Sequence, residues 1–590
     1  MSKGILKILL WLSLFSFIFS QDVVKLKTIT LDVKANGVNG YYDKHNNFSY
    51  IDSGMLEAWV ERDSNSVLKR VAAINAINSG GTKTILLNGF ASNQTKILYR
   101  GVDMFDSSTP QGTPYLDVFS MTNIDRVEVI RGAASSYYGN SAVAGVINIV
   151  PSLKTETVCA FLWGESYLSE SFKTGLLGSW YRFVVSYNDS KQDQLSWMDS
   201  NTEKDLEKKR ALELDAELRL GDKTNLAMFY SENRLDSDLD GFNSHVLANH
   251  DLYGIKVNQE LDSDSSLELN YNGSNILRNY DAGSSIFHGY LNELDLKFNE
   301  KFRNKDLVWG VTRRTEKAQK NSFVEKEQSD VSFYNIFSAE SLINYSIGSR
   351  FVTYTNDKSV FTYNVSLWKK FADYDLKINH ATGYRQPTLY EKYDSSYGNL
   401  NLNAETSRLF DVGLAYHGFN NVVLRTNYFS SAINSKIDWI ATGIWTGTYM
   451  NVSSDTLIEG YSVGLDSLDI PFTKKATTEY VYTNSRNDAG QSIRVPKQKA
   501  TLDLLFDIFG CDLSVFYTKV ASRNDKVYVG FVETMVTLPS YQTVDIALSK
   551  KVDSYEFFVK GVNVFGEGYQ EIAGYNTLKE AWYVGFKTSI

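Results

Sequence analysis

The chain has 590 residues, a formal net charge of -9 and 22% charged residues, so it lacks the basic surplus that a nucleic-acid partner requires. Its two cysteines, Cys159 and Cys511, exclude a disulfide framework. They are expected to stay unpaired, although a single bridge between them remains open. With only 7 Pro and no Pro/Ser-rich linker, the length is not a string of soluble domains, and 37 Tyr and 33 Phe make the chain rich in aromatics.

Lys3 and Lys7 precede an apolar run, Ile8 to Phe19, closed by Gln21 and Asp22. This predicts a secretory signal over residues 1–20, the alternative being an uncleaved anchor. The run is short for a helical span, and no later stretch reaches the length needed. Residues 21–35 form an N-terminal segment, and residues 36–151 read as a small mixed domain. There Ser64-Asn65-Ser66 supplies helix-start chemistry before Val67, Leu68, Val71 and Ile74, which share one helical face, and Ser79-Gly80-Gly81 ends that helix. Strands are predicted at Thr84–Leu87, Lys96–Tyr99, Val127–Ile130 and Val146–Val150, with a polar turn at Ala91–Thr95 and a loop at Asp106–Pro114.

After Pro151 the texture changes to period-two alternation. Leu212, Leu214, Ala216, Leu218 and Leu220 alternate with Glu213, Asp215, Glu217 and Arg219, and Leu294, Leu296 and Phe298 alternate with Glu293, Asp295 and Lys297. The same holds at 181–187, 267–272 and 422–428. One face of each strand is apolar and the other charged. A soluble sandwich would hide the apolar face. A signal segment, full charges on the polar face and aromatics near strand ends choose instead a transmembrane barrel with a wet lumen. The roughly 440 residues after Pro151, at roughly 20 per strand and connection, give on the order of 22 antiparallel strands. The fold class is therefore an all-β transmembrane barrel over 152–590, with the mixed α/β domain inside its lumen. The terminal run 582–590 can close it against the first strand, as lipid demands.

Three segments carry a family resemblance: Arg126-Val-Glu-Val-Ile-Arg-Gly132, Ser135-Ser-Tyr-Tyr-Gly139 and Ala144-Gly-Val-Ile-Asn-Ile149. Together they resemble the end of the plug domain of TonB-dependent outer-membrane receptors. Arg126, Glu128, Arg131, Gly132, Tyr138, Gly139, Gly145 and Asn148 form that signature. Leu87-Asn-Gly-Phe90, Leu98-Tyr-Arg-Gly-Val-Asp103, Gly383 to Glu391 with Glu405, Ile458-Glu-Gly-Tyr461 and Asn563-Val-Phe565 extend it. Asn88 stands where the family usually has Arg, and Arg100 where it usually has Asp, which puts that local pairing in question.

The resemblance implies a monomeric outer-membrane transporter energised by the TonB complex, contacting lipid, importing a small scarce nutrient and served in some cases by a lipoprotein that captures ligand. It implies no catalysis. Asp22, Val23 and Val24 are candidates for adding as an edge strand to TonB, the alternative being an ordinary plug start. Ligand is expected at plug apices, namely Ser92, Asn93, Gln94, Phe105, Asp106, Ser107 and Gln111. The stretch Gly89–Thr95 and the closing Tyr569–Tyr575 resemble cobalamin receptors, with ferric-siderophore receptors as the rival. Haem is less expected, since Thr388–Tyr397 holds no His. No cofactor is required. Asp236, Asp238 and Asp240 alternate as hard oxygen ligands that suit a structural calcium, against the reading of a solvated acidic loop. An enzyme lacks a nucleophile elbow, a His-Glu-x-x-His and a phosphate loop, and a passive porin or adhesin needs no plug.

Overall fold

A computed structural model describes residues 48–589, apart from 61–62, 80–81, 165, 196–203, 241–243, 322, 420, 444–445, 468–472 and 530–531. The signal segment, the N-terminal segment and the TonB-contact candidates Asp22, Val23 and Val24 lie outside the described residues.

The plug is built on a five-stranded mixed sheet. Its strands are β1 (Phe48–Asp52), β4 (Thr95–Tyr99), β5 (Val102–Asp103), β6 (Ile124–Arg131) and β7 (Gly145–Pro151), with β2 (Ile74–Ser79) and β3 (Thr82–Leu87) forming a separate hairpin. The order is β1-β6-β7-β4-β5; β4 and β7 run parallel and the other neighbours antiparallel. β1 is thus an edge strand. Two short helices follow it, α1 (Ser53–Trp59) and α2 (Ser64–Leu68).

α2 corrects one expectation. Its N-cap is Asp63, whose carboxylate accepts the Ser66 N–H at 3.1 Å, and it ends at Leu68. Ile74 instead starts β2, paired with Leu87. Val67, Leu68, Val71 and Ile74 are all buried in the plug core. Their helical spacing came from two elements burying residues at a bend.

The barrel runs from Val158 to Ser589 as 22 antiparallel strands, with a two-residue piece at Gly490–Gln491 beside one of them. It closes where the last strand pairs with the first, Ser589 opposite Val158 and Tyr583 opposite Gly164. Lipid dictates closure, because an open edge would leave backbone groups without partners. The alternation turns inside out as expected: Leu214, Leu294 and Leu296 are exposed on the outer surface, whereas Glu213, Glu217 and Lys297 are buried against the lumen contents. Short turns such as 303–304, 372–373 and 553–554 gather at one end, ringed by Phe302, Phe371, Tyr374 and Tyr555. Longer connections, 386–404 and 563–580, and the hairpins Ile437–Asn451 and Arg523–Leu538 gather at the other. Short turns face the periplasm and long loops the outside, which orients the molecule. Cys159 and Cys511 are free thiols on separate strands.

The plug is held by apolar packing as well as by polar contacts. One inner wall is apolar. Leu235, Val246, Ala248, Leu252 and Ile276 point inward and join a single cluster with plug residues Val102, Met104, Leu116, Val118 and Phe119. Further round the barrel, Phe429, Ile433 and Ile458 join the same cluster. Ion pairs add to the attachment. Arg131 binds Glu479 at 2.6 Å, and Arg100 pairs with Asp215.

Candidate functional site

At the outer end, plug and barrel enclose a vestibule of about 1010 Å³. This is the upper end of ordinary small-molecule cavities, with room for a bulky occupant.

Two plug loops make its floor. β3 leads into a turn in which Asn88 and Gly89 both take positive φ, 50° and 80°. Asn tolerates that region better than most residues. At Gly89 a Cβ would stand 2.6 Å from the Thr483 methyl, so the close approach to the barrel wall needs glycine. A single 3-10 turn, Ser92–Gln94, follows. Gln94 caps it by accepting the Ala91 N–H at 3.1 Å and donates to Glu405 at 3.0 Å. Glu405 and Glu391 together hold the fully buried Arg385, at 2.9 Å and 3.0 Å. The second loop presents Gln111, also at positive φ, between Pro110 and Gly112.

Among the expected apices, Ser92, Gln94 and Gln111 line the vestibule. Asn93, Phe105, Asp106 and Ser107 are buried behind it. Asp106 binds Arg278 at 2.7 Å, Phe105 lies under the Arg314 guanidinium, and the Ser107 hydroxyl donates to the Lys317 carbonyl at 3.1 Å. These residues brace the loop against barrel strands 265–280 and 305–320.

The walls and rim come from residues that carry no local signal. Arg278 sits between the rings of Tyr115 and Phe287, 5.4 Å and 5.1 Å from their centroids. Behind Phe287, outside the lining itself, Lys320 lies 4.6 Å from the Tyr390 ring and 5.0 Å from Phe287. Apolar patches are supplied by Ile77, Leu86, Ile433, Ile458, Val495 and Met535. Amides come from Gln94, Gln111, Asn487 and Gln491.

Charge is balanced. Each of the four cations on the described lining has a carboxylate partner: Arg278 with Asp106, Lys436 with Asp438 at 3.2 Å, Arg494 with Asp525 at 2.7 Å, and Lys526 with Glu533 at 3.1 Å. The cavity therefore offers hydrogen-bonding amides and apolar contact without a surplus of positive charge.

The signature residues lie beneath this floor. Arg126 binds Glu128 at 2.8 Å, and the Asn148 amide donates to Glu128 at 3.0 Å, tying β6 to β7. Gly132 and Gly139 take positive φ at the turns on either side of the short helix that contains Tyr138. Tyr138 packs on Tyr137, and its carbonyl accepts from Lys96 at 2.8 Å. At Gly145 a Cβ would stand 2.0 Å from the Ile130 carbonyl oxygen, so the register of β6 on β7 needs glycine there. At the unusual pair of positions, Arg100 does not pair within the plug but crosses to Asp215, while the Asn88 N–H donates to the Ala73 carbonyl at 2.8 Å. Below, the Asp117 carboxyl is pushed up to about 6 by burial, against the pull of Lys83 and Lys209.

Two members of the acidic run are engaged by neighbouring protein groups. Asp236 is engaged by His245 at 2.8 Å and Lys208 at 3.6 Å, and Asp238 accepts the Leu206 N–H at 3.0 Å. Among the described residues no group of three acidic, His or Cys side chains is arranged to hold a metal.

The profile described as TonB dependent receptor-like, beta-barrel matches residues 160–569, and that of the TonB-dependent Receptor Plug Domain matches 38–146. The vitamin B12 transporter BtuB of Vibrio cholerae is 23% identical over 568 residues, covering 88% of each chain. In shape the chain is similar to the siderophore receptor PirA of Acinetobacter baumannii, with a TM-score of 0.81 and 15% identity over 93% of this chain and 99% of that one. A ferric enterobactin receptor, PfeA of Pseudomonas aeruginosa, gives 0.80 at 15% identity over 92% and 99%.

Proposed function

The chain belongs to the TonB-dependent receptor family, and on that premise we infer that its cargo is cobalamin or a closely similar corrinoid. The family assignment places it in the outer membrane as a receptor-transporter for a small molecule, with TonB as its partner.

One observation carries the choice of cargo: the vestibule is large, rich in amides and apolar surface, and charge-balanced. A corrinoid is bulky, close to neutral and edged with amides, so it matches such a lining by hydrogen bonds and apolar contact. A ferric tris-catecholate carries several negative charges and calls for unpaired cations. The similarity to a vitamin B12 transporter along most of the chain supports the same reading.

The second reading, a ferric siderophore, has its own observation. On the lining, Arg278 is set between Tyr115 and Phe287, with Lys320 and Tyr390 behind them, an aromatic and cationic arrangement of the kind that meets catechol rings. Titration of the purified full-length protein separates the two. Cyanocobalamin is expected to bind at micromolar concentration or tighter, and ferric enterobactin more weakly. Absence of cobalamin binding at those levels, with tight ferric enterobactin binding, overturns the corrinoid assignment.

A further inference from the structure

The plug is not held equally on all sides. Its later half is packed dry on the inner wall of strands 224–280. Its first half, α1 and α2, faces the seam where the barrel closes, and there, apart from one small apolar cluster around Val60, the contacts are ionic or to backbone. Lys587 binds Glu57 at 2.7 Å, Lys69 binds Asp545 at 3.0 Å, Lys560 donates to the Val60 carbonyl at 3.3 Å, and the Asn78 N–H donates to Glu571 at 3.0 Å. Ionic contacts exchange readily with water, whereas a close-packed apolar face does not.

The seam also carries two cavities. A cleft of about 190 Å³ lies toward the outer loops, among Asp63, Asn65, Asn78, Asn563, Tyr569 and Glu571. A cleft of about 80 Å³ lies toward the periplasm, among Glu57, Asn123, Lys154, Glu156 and Lys173. Both have mixed polar and apolar linings, and in the larger one the buried carbonyl oxygens of the Asn65 and Asn78 side chains have no protein partner, which suits water. Val60 lines both. It packs with Leu162, Ala547 and Phe558 as the buried apolar cluster between them. Val60 is held at φ 54°, a position that a β-branched residue adopts only when its surroundings impose it. The seam strands are short here, at 7, 8 and 9 residues for Val158–Gly164, Tyr555–Val562 and Ala581–Ser589.

We propose that the cargo crosses along this seam, between the first half of the plug and strands 158–177 and 541–589, and that Val60 against Leu162 and Phe558 is the stopper that keeps the route closed. The route rests on the transport function inferred above. Its order follows from topology. A pull from the N-terminal side first peels β1, which among the described residues is an edge strand paired with β6. α1 comes next in the chain, and its withdrawal takes Val60 out from between the two clefts. The later half of the plug stays on its dry wall.

Two measurements on the full-length protein test the route. Val60→Gly removes the stopper while suiting the positive φ, so folding is preserved. In planar bilayers it is expected to conduct where the unaltered protein is tight. Val352→Ala, at an equally buried apolar site on the far side of the barrel, is expected to stay tight. A tight Val60→Gly, or equal leakage from Val352→Ala, overturns the route. This arm does not depend on what the cargo is.

The second measurement uses Val60→Cys with Leu162→Cys in a Cys159→Ser, Cys511→Ser background, with cyanocobalamin as the probe in energised cells. The oxidised tether, verified by mass, is expected to retain binding, lose uptake, and regain uptake on reduction. Full uptake with the tether formed overturns the proposal. If the untethered protein binds no cobalamin, the cargo assignment fails and the conductance arm alone decides the route.

Discussion

If charge balance selects the cargo, upsetting it should change selectivity in a calculable way. Asp438→Asn with Glu533→Gln leaves Lys436 and Lys526 without their rim carboxylates, now 3.2 Å and 3.1 Å away. The vestibule then carries two additional net positive charges. At about 6 Å from a ligand anion, with an effective dielectric of about 40, each contributes about 1.4 kcal/mol. Physiological salt reduces this by about half. Together the two charges should strengthen binding of a singly charged anion about tenfold, and of a multiply charged ferric catecholate by more. A near-neutral corrinoid should change by less than about threefold. The assay is calorimetric titration of cyanocobalamin and ferric enterobactin at two ionic strengths, the gain for the ferric complex shrinking as salt rises. The reasoning is refuted if the ferric complex gains nothing, or if cobalamin affinity moves as much as that of the ferric complex.

Three further outcomes follow from the plug. Asp215→Ala strands the buried Arg100 guanidinium without its partner, and breaking such a pair costs about 3–5 kcal/mol; limited proteolysis should cut the plug of this variant sooner than that of the unaltered protein. Gly145→Ala drives a Cβ into the Ile130 carbonyl and should unseat β6 from β7, read as pore-like conductance in bilayers, with a tight channel as the contrary result. For Asp117 the folded carboxyl titrates near 6, above its ordinary 3.8, so its contribution to stability is full below about pH 4 and is lost as pH rises through 6. Asp117→Asn should therefore gain stability relative to the unaltered protein between pH 5 and pH 8, by up to about 3 kcal/mol, and equal melting curves at pH 8 would count against it.

The barrel was legible because lipid inverts a rule that shows in single residues. Glu213 and Glu217 alternating with Leu214 and Leu218 make sense only if the charged face is inside, and the structure puts them there. The plug was legible through glycines with one task each, as at Gly145. Helix and strand were confused where Val67, Leu68, Val71 and Ile74 mimic one face of a helix, because burial at a bend leaves the same spacing. The vestibule was only half legible. Ser92, Gln94 and Gln111 could be read because they sit on plug loops. Phe105 and Asp106 read as equally exposed, yet Arg278 and Arg314 from the barrel cover them. Arg494 and Lys526 gave no signal, because their place comes from pairings far along the chain. The Asn75 amide, for instance, donates to the Arg494 carbonyl at 2.9 Å.

The plug's uneven attachment resolves a conflict that either extreme would leave standing. A plug held everywhere by ion pairs would reseat without a defined register, since long charged side chains tolerate several geometries. A plug packed dry on every side would not yield, because close-packed apolar surfaces release slowly. Here the two demands fall on different walls. Leu235, Val246, Leu252 and Ile276 fix where the later half returns. Glu57, Lys69 and the Val60 carbonyl bind the first half through contacts that water can replace. On the proposed route the half that moves is also the half nearest the N-terminal side of the chain, where the sequence offers the TonB-contact candidates Asp22, Val23 and Val24. Force applied there loads the replaceable contacts before the permanent ones.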